Sequence, residues 1–310
     1  MSMRFLKEPT VIQGSFVDSI IYGNYIFLLT DNNSVEIRSS KKNTVISTLE
    51  IPSNEFCYSL EAYNYNLYIY DGYKIYSYSV KDVLNKHKET SKRIDQIGYN
   101  FSVNSRGILF AEGMNGVSFY NQKENKIKKV DSIECEVQDI DSRPNRALCN
   151  SDFNTSYTLI YKDNILENNW VKGKQDFENG QLIKYITNSK FFILDKRENM
   201  LTYNNDQFQK EQFSFYPVKG AIVDAAATEK LRVIELENKL VISPSRQIGD
   251  EDWYNINMSD ENNKSEVINW KVFPKSKAYS EQVHVIKTNQ LEILTTKEDI
   301  IKYPNIKQVY

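Results

Sequence analysis

Histidine is the scarcest reactive residue in this sequence. Only His87 and His284 occur in 310 residues, and neither has a second ligand-type residue at metal-binding spacing. That excludes a histidine-rich metal centre, which needs several such donors converging on one point. Cysteine is nearly as sparse: Cys57, Cys135 and Cys149 are an odd number without Cys-x-x-Cys spacing. They suggest neither a disulfide framework nor a redox pair, fit a reducing compartment, and read as small buried hydrophobes. A glycine-rich phosphate loop and a Gly-x-Ser-x-Gly elbow are also missing, which removes the usual marks of nucleotide binding and of hydrolase nucleophiles. No metal and no cofactor is expected.

Long apolar runs are absent as well. No stretch is long enough to cross a bilayer, and the opening MSMRFLKEPTVIQG lacks the apolar core of a secretory signal. The chain is expected to stay in the cytoplasm, or in the nucleus of a eukaryote. Charge of either sign is not in excess: 39 Lys and Arg face 41 Asp and Glu, a net of -2. Without a global basic field, direct contact with nucleic acid or anionic lipid is not expected, although a local patch stays open.

What the sequence does have is a repeat. A hydrophobic run ends in an acidic residue, a polar turn follows, and a second alternating run begins, as in YIFLLTDNNSVEIRS from Tyr25 and LYIYDGYKIYSYS from Leu67. The anchors fall at Asp31, Asp71, Glu112, Asp152, Asp195, Glu235 and Lys287, in steps of 40, 41, 40, 43, 40 and 52. Both runs favour β-branched and aromatic residues, and the Asp-, Asn- and Gly-rich turns between them suit tight hairpins. A third run precedes each hairpin and a more polar fourth usually follows. Four antiparallel strands per unit of about 40 residues describe a propeller blade.

The fold class is therefore all-β, a seven-bladed β-propeller with four antiparallel strands per blade, in a single domain over 1–310. The blades are placed at about 14–53, 54–99, 100–133, 134–176, 177–218, 219–262 and 263–310. Weak alternation in LYIY and FFIL fits inner strands buried on both faces. Either the N-terminal FLKEPTVI or the C-terminal DIIKYPNIKQVY can complete the last blade.

Two third strands carry a resemblance. VSFYN (Val117 to Asn121) and MLTYN (Met200 to Asn204) resemble the third strand of WD40 and YVTN-like propeller repeats, with Tyr120 and Tyr203 where that strand has tryptophan. Tyr78 and Tyr161 hold the same place, whereas Arg38, Ser243 and Leu294 depart from it. No Gly-His pair opens a first strand and no Trp-Asp pair closes a third, so the resemblance implies architecture only. Propellers host enzymes, lectins and scaffolds alike.

Three stretches exceed a minimal blade. Lys81 to Asp95 reads as a solvated loop with room for a helical turn around Asp82 to Lys86. Pro244 to Val267 gathers Arg246, Asp250, Glu251, Asp252, Trp253 and Tyr254; long loops on rigid scaffolds carry function, and aromatics beside charges make interface anchors. Against that, Trp253 can simply begin the fourth strand of blade six. In the blade-four extension, Trp170 with Lys172 and Lys174 can cap a groove, though a structural role is favoured.

Two acidic sets and a tyrosine surplus each carry a functional and a structural reading. The turn acids can form a rim that binds a basic peptide, or can cap the turn amides. Asp18, Glu61, Glu136, Asp139 and Asp224 on innermost strands can line a channel and supply an acid/base pair, although no spacing selects one. The 21 tyrosines, dense in blade two, can stack on sugars or fill the space between blades. The expected function is a non-catalytic protein–protein interaction scaffold, one subunit of a larger complex. Its partner-binding residues are expected to be Arg246, Asp252, Trp253, Tyr254, Arg143 and Arg146. The alternatives are a carbohydrate- or small-ligand-binding propeller and a propeller enzyme with acids in its channel.

Overall fold

The computed structural model describes residues 6–85, 92–130, 133, 136–151, 155–163, 168–177, 180–195, 200–204, 210–213, 221–245, 253–260 and 265–297. After an N-terminal strand β1 (Thr10–Gln13), the strands come in sets. The first is β2 (Phe16–Tyr22), β3 (Tyr25–Thr30), β4 (Ser34–Ser39) and β5 (Val45–Glu50). The second is β6 (Ser59–Tyr63), β7 (Asn66–Tyr70), β8 (Lys74–Ser79) and β9 (Lys92–Asp95), with the short helix α1 (Val80–Leu84) between the last two. The third is β10 (Asn100–Asn104), β11 (Gly107–Ala111), β12 (Val117–Asn121) and β13 (Lys126–Lys129). The fourth is β14 (Asp139–Arg143), β15 (Arg146–Ser151), β16 (Thr155–Asp163) and β17 (Asn168–Phe177). The fifth is β18 (Gly180–Tyr185), β19 (Lys190–Asp195), β20 (Met200–Asn204) and β21 (Lys210–Phe213). The sixth is β22 (Ile222–Ala227), β23 (Leu231–Leu236), β24 (Lys239–Pro244) and β25 (Tyr254–Asn257). The seventh is β26 (Ser259–Asp260), β27 (Ser265–Val272), β28 (Gln282–Lys287) and β29 (Gln290–Thr295).

Each of the first six sets is a four-stranded antiparallel meander, and the seventh sheet has five strands in the order β1-β29-β28-β27-β26. The N-terminal strand is thus the outermost strand of the last sheet, with Thr10 opposite Ile293 and Gln13 opposite Gln290. This decides for FLKEPTVI; the rival C-terminal tract lies outside the described residues. Two compact units emerge, Ser15–Lys219 with five sheets, and Met1–Gly14 with Gly220–Tyr310 holding two.

Within each unit, apolar residues on the inner strands seal neighbouring sheets together. In β7, Leu67 and Ile69 pack into a cluster with Phe27, Leu29, Val35 and Ile37 of the first sheet. Tyr68 and Tyr70 of the same strand pack the other way, with Phe101, Ile108 and Phe110 of the third. Alternation with both sides apolar is what lets one strand serve two interfaces, and each fully buried large side chain contributes about 1.5–3 kcal/mol. Leu109, Phe119, Cys149 and Trp170 repeat the arrangement between the third and fourth sheets. Trp170 is fully buried, so its role is structural and no groove-capping role remains for it.

Local chemistry explains the departures. The helical turn in the polar stretch is α1: Ser79 caps it by accepting the Asp82 amide, and Val80 and Val83 face inward. The end of that stretch is strand β9 rather than loop. On the innermost strands β2, β22 and β27 the register slips by one residue before Asp18, Asp224 and Asn269. At each bulge the Asp or Asn side chain accepts the next backbone amide, at 2.8, 2.7 and 2.8 Å respectively.

Candidate functional site

Three of the five acids expected in a channel, Asp18, Glu61 and Asp224, accept main-chain amides instead. Asp18 lies at 2% exposure, and its Oδ2 accepts the Leu60 amide of the second sheet at 2.7 Å. Glu61 Oε2 accepts the Val103 amide of the third sheet at 2.9 Å. One sheet on, Ser102 Oγ accepts the Ser142 amide at 2.9 Å. Asn150 then grips Ile183 of the fifth sheet, accepting its amide at 2.7 Å and donating to its carbonyl at 3.1 Å. A polar side chain of each of the first four sheets therefore holds the innermost strand of the next. Asp139 accepts from the Asn100 amide group at 2.5 Å and the Asn150 amide group at 3.4 Å, and Glu136 accepts from Gln138 at 3.4 Å. An acid or base drawn from Asp18 or Glu61 would have to release a sheet-to-sheet hydrogen bond before it met a substrate.

The turn acids play unlike parts. Asp71 Oδ1 accepts the amides of Tyr73 and Lys74 at 2.9 and 2.7 Å, while Oδ2 takes the Ser53 hydroxyl at 2.6 Å. Here the capping role holds. At the first turn Thr30 does that work, its Oγ1 accepting the Ser34 amide at 3.1 Å, and Asp31 is left exposed. Glu112 binds the Gln96 side chain and Glu235 accepts the Trp270 indole N–H at 2.6 Å. Asp152 lies outside the described residues, as do His87 and Cys135. His284 is wholly buried against Phe273, their rings 4.7 Å apart, and burial followed by the nearby Lys271 pushes its imidazole down to about 3.

Of the residues expected to meet a partner, Arg143 and Arg146 come together as paired positions across the β14–β15 hairpin. Arg143 is only 6% exposed. Its Nη1 binds Asp141 at 2.8 Å and the Ser142 carbonyl at 2.9 Å, and its guanidinium lies 3.9 Å over the Tyr185 ring. That burial leaves Arg143 little surface for a partner and makes it a support of the hairpin. Arg146, half buried, accepts the Tyr185 hydroxyl on its carbonyl at 3.3 Å. Arg106, which the sequence reading passed over, joins them: it pairs with Asp163 at 2.7 Å and reaches Asn145 at 3.4 Å.

Trp253 and Tyr254 belong to the other unit. Tyr254 opens the outer strand β25, opposite Ile242, and Trp253 directly precedes it, one residue short of the strand start assigned to it. Both are half buried, and Tyr254 packs on the core around Leu240 and Val285. Burial, then the Glu292 carboxylate, raises the Tyr254 hydroxyl above its ordinary pKa. Within this unit a polar groove of ≈ 500 Å³ is lined by Gln13, Asn257, Ser265, Lys287, Gln290 and Glu292. Lys287 and Glu292 neutralise each other there at 2.7 Å. Arg246 and Asp252 lie outside the described residues.

Tyr185 beneath Arg143 and Glu292 beside Tyr254 were also missed. One signal can find the first kind of contact: side chains here reach the next repeat, so Arg106 meets Asn145 at a separation of 39 and Asp18 meets Leu60 at 42.

No family model and no curated protein matches the chain. Solved structures do. The WD40 domain of Neurospora crassa Pan2 superimposes with a TM-score of 0.62 at 8% identity, covering 96% of this chain and 97% of that one. The N-terminal domain of Nup159 gives 0.56 at 11% identity, with 91% and 90% covered. A chain from the S. cerevisiae assembly of a Dbp5 variant with Nup159, a Gle1 variant, IP6 and ADP gives 0.59 at 10% identity, with 95% and 96% covered. At these identities the likeness concerns fold alone: the chain is a seven-bladed, WD40-like β-propeller.

Proposed function

We propose that this propeller is a non-catalytic protein–protein interaction scaffold working as one subunit of a larger complex, in the cytoplasm or nucleus. The observation that carries the reading is the use of Asp18 and Glu61 as acceptors for the next sheet's backbone, which turns two of the five acid/base candidates into structural parts. Within Ser15–Lys219, sheets that spend interior polar side chains on one another have their turns and outer strands left for recognition. Fold likeness adds support: in the S. cerevisiae assembly a Dbp5 variant is bound to Nup159 and a Gle1 variant, so a chain of that assembly acts among protein partners.

In this reading Trp253, Tyr254, Arg246 and Asp252 form one contact region. Arg146 forms a second, with Arg143 holding its hairpin in place. The test is affinity purification of the tagged chain from its own organism, identification of the co-purifying proteins, and repetition with Trp253→Ala and Arg146→Ala. Loss of about 2 kcal/mol or more of affinity from either variant supports the reading. Should Trp253→Ala lower the thermal midpoint while the folded fraction binds unchanged, the indole belongs to the core and leaves the interface.

A further inference from the structure

Five large apolar side chains stand exposed at one end of the second and third blades, in the unit Ser15–Lys219. Phe56 is 53% exposed, Tyr73 52%, Ile97 66%, Tyr99 61% and Met114 87%. They sit on three pieces of chain: the segment before β6, the β7–β8 turn with the segment Gln96–Tyr99 paired to it, and the β11–β12 turn. Apolar groups scattered singly on a surface need no explanation, whereas a contiguous set marks a contact site.

Hydrogen bonds make these pieces one platform. The Gln96 amide donates to the Tyr73 carbonyl at 2.8 Å and the Gly98 amide to Gly72 at 3.2 Å, while the Tyr99 amide donates to Ala111 at 2.7 Å. The Tyr58 ring lies against Gly72, and its hydroxyl donates to the Tyr99 carbonyl at 3.1 Å. Tyr99 covers Gly113, which has a φ of +59° and no room for a Cβ beneath the ring. At the other margin, Asn33 accepts the Cys57 amide at 2.8 Å and donates to the Glu55 carbonyl at 2.7 Å, tying the β3–β4 turn to Phe56. A docking surface needs such prior rigidity, since loops that order only on contact weaken binding.

Acidic side chains outnumber basic ones around the platform, with Asp31, Glu55, Asp71, Asp95 and Glu112 against Lys74, Arg93 and Lys129. Asp95 pairs with Arg93 and Glu112 with Lys129. Asp31 and Glu55, both exposed, meet no cation among the described residues. The buried Asp71 adds to the field: burial, then its charge, pushes both Cys57 and Tyr58 up to about 12.

We propose that this end of the second and third blades docks a partner protein segment whose apolar side chains are flanked by lysine or arginine. The apolar anchors seat on Ile97, Tyr99 and Met114, and the basic flanks face Asp31 and Glu55. A second copy of the chain suits the surface less well, because a symmetric contact would set these carboxylates against themselves. The proposal rests on the interaction reading above but uses neither Trp253 nor Arg146.

The experiment measures fluorescence anisotropy of short synthetic peptides against the full chain. One set carries leucine and phenylalanine anchors between lysines; a matched set has glutamate for every lysine. Lysine-flanked peptides are expected to bind, and glutamate-flanked ones to bind roughly tenfold more weakly or worse. Ile97→Asp and Met114→Asp are each expected to weaken binding about tenfold or more with an unchanged thermal midpoint. The pair Asp31→Lys with Glu55→Lys is expected to reverse the charge preference. Absence of binding by both sets, equal binding of the two, or full affinity in the Ile97→Asp, Met114→Asp double variant overturns the proposal. Concentration-dependent self-association abolished by Ile97→Asp overturns it in favour of a second copy. If a purified partner loses affinity with Trp253→Ala but keeps it with Ile97→Asp, this surface fails while the scaffold reading stands.

Discussion

Asp18 shows how much one side chain can hold. Its two carboxylate oxygens serve two main-chain donors, the Ser19 amide in its own bulge and the Leu60 amide one sheet away. Asp18→Ala leaves both donors short of that acceptor, and a hydrogen bond to a charged group lost from a buried site costs about 1.5–3 kcal/mol. The expected result is a lower urea midpoint for Asp18→Ala and a smaller drop for Asp18→Asn, which keeps one acceptor oxygen. Equal midpoints for wild type and Asp18→Ala would return this acid to the list of free channel groups.

His284 gives a pH signature. Its folded pKa, about 3, lies below the ordinary 6.5 because burial disfavours the cation. The unfolded chain therefore binds a proton that the folded chain refuses, and stability falls as pH drops from about 6.5 towards 3. Only two histidines exist in the sequence, so between neutrality and about pH 5.5 this residue dominates the slope. Urea unfolding at stepped pH is expected to show the decline in wild type and a flatter profile in His284→Gln. A wild-type profile as flat as the variant's would mean that the imidazole stays accessible to protons.

Among the elements, β1 makes the sharpest demand. It lies on β29 as the last strand of the seventh sheet, helped by an outlying Leu6–Thr296 bridge. Removing residues 1–13 bares the β29 edge, which is both a loss of hydrogen bonds and an aggregation hazard. Exchange of the β29 amides is expected to quicken roughly tenfold or more in the truncated chain. Unchanged exchange there would mean that the edge is protected by something other than β1.

The strands show what was legible and why the rest was not. Runs such as LYIYDGYKIYSYS announce a hairpin because turn chemistry and alternation are local, and Leu67 to Tyr70 reveal two-sided burial by having no polar face. Bulges are not local in that sense. Val223 and Ile268, the apolar residues extruded beside Asp224 and Asn269, stand exposed. Whether Asp18 points into a channel or at the neighbouring backbone depends on such a slip, which no count of alternating residues contains. The start of β25 next to Trp253 was legible from WYNINM, whereas the stacking of Arg143 on Tyr185 joins different repeats and needed the fold first.

For the molecule as a whole, the decisive question is how far the sheets depend on one another. Within Ser15–Lys219 the interior bonds run in series, Asp18 to Leu60, Glu61 to Val103, Ser102 to Ser142 and Asn150 to Ile183. Apolar clusters join the same neighbouring sheets. A stack of loosely coupled repeats lets one sheet melt while its neighbours persist, which lowers the dependence of unfolding free energy on denaturant. Sheets latched by both backbone bonds and shared cores have no such partial state at low cost, because melting one leaves two apolar faces bare. Asp18→Ala and Ser102→Ala remove bonds that share no residue, so their effects are expected to add within about 0.5 kcal/mol. Each should move the urea midpoint at an unchanged slope, read by fluorescence and circular dichroism together. A reduced slope in either variant, or probes that part company, would show that the sheets of this unit unfold piecemeal, and the rigidity on which the docking surface depends would go with it.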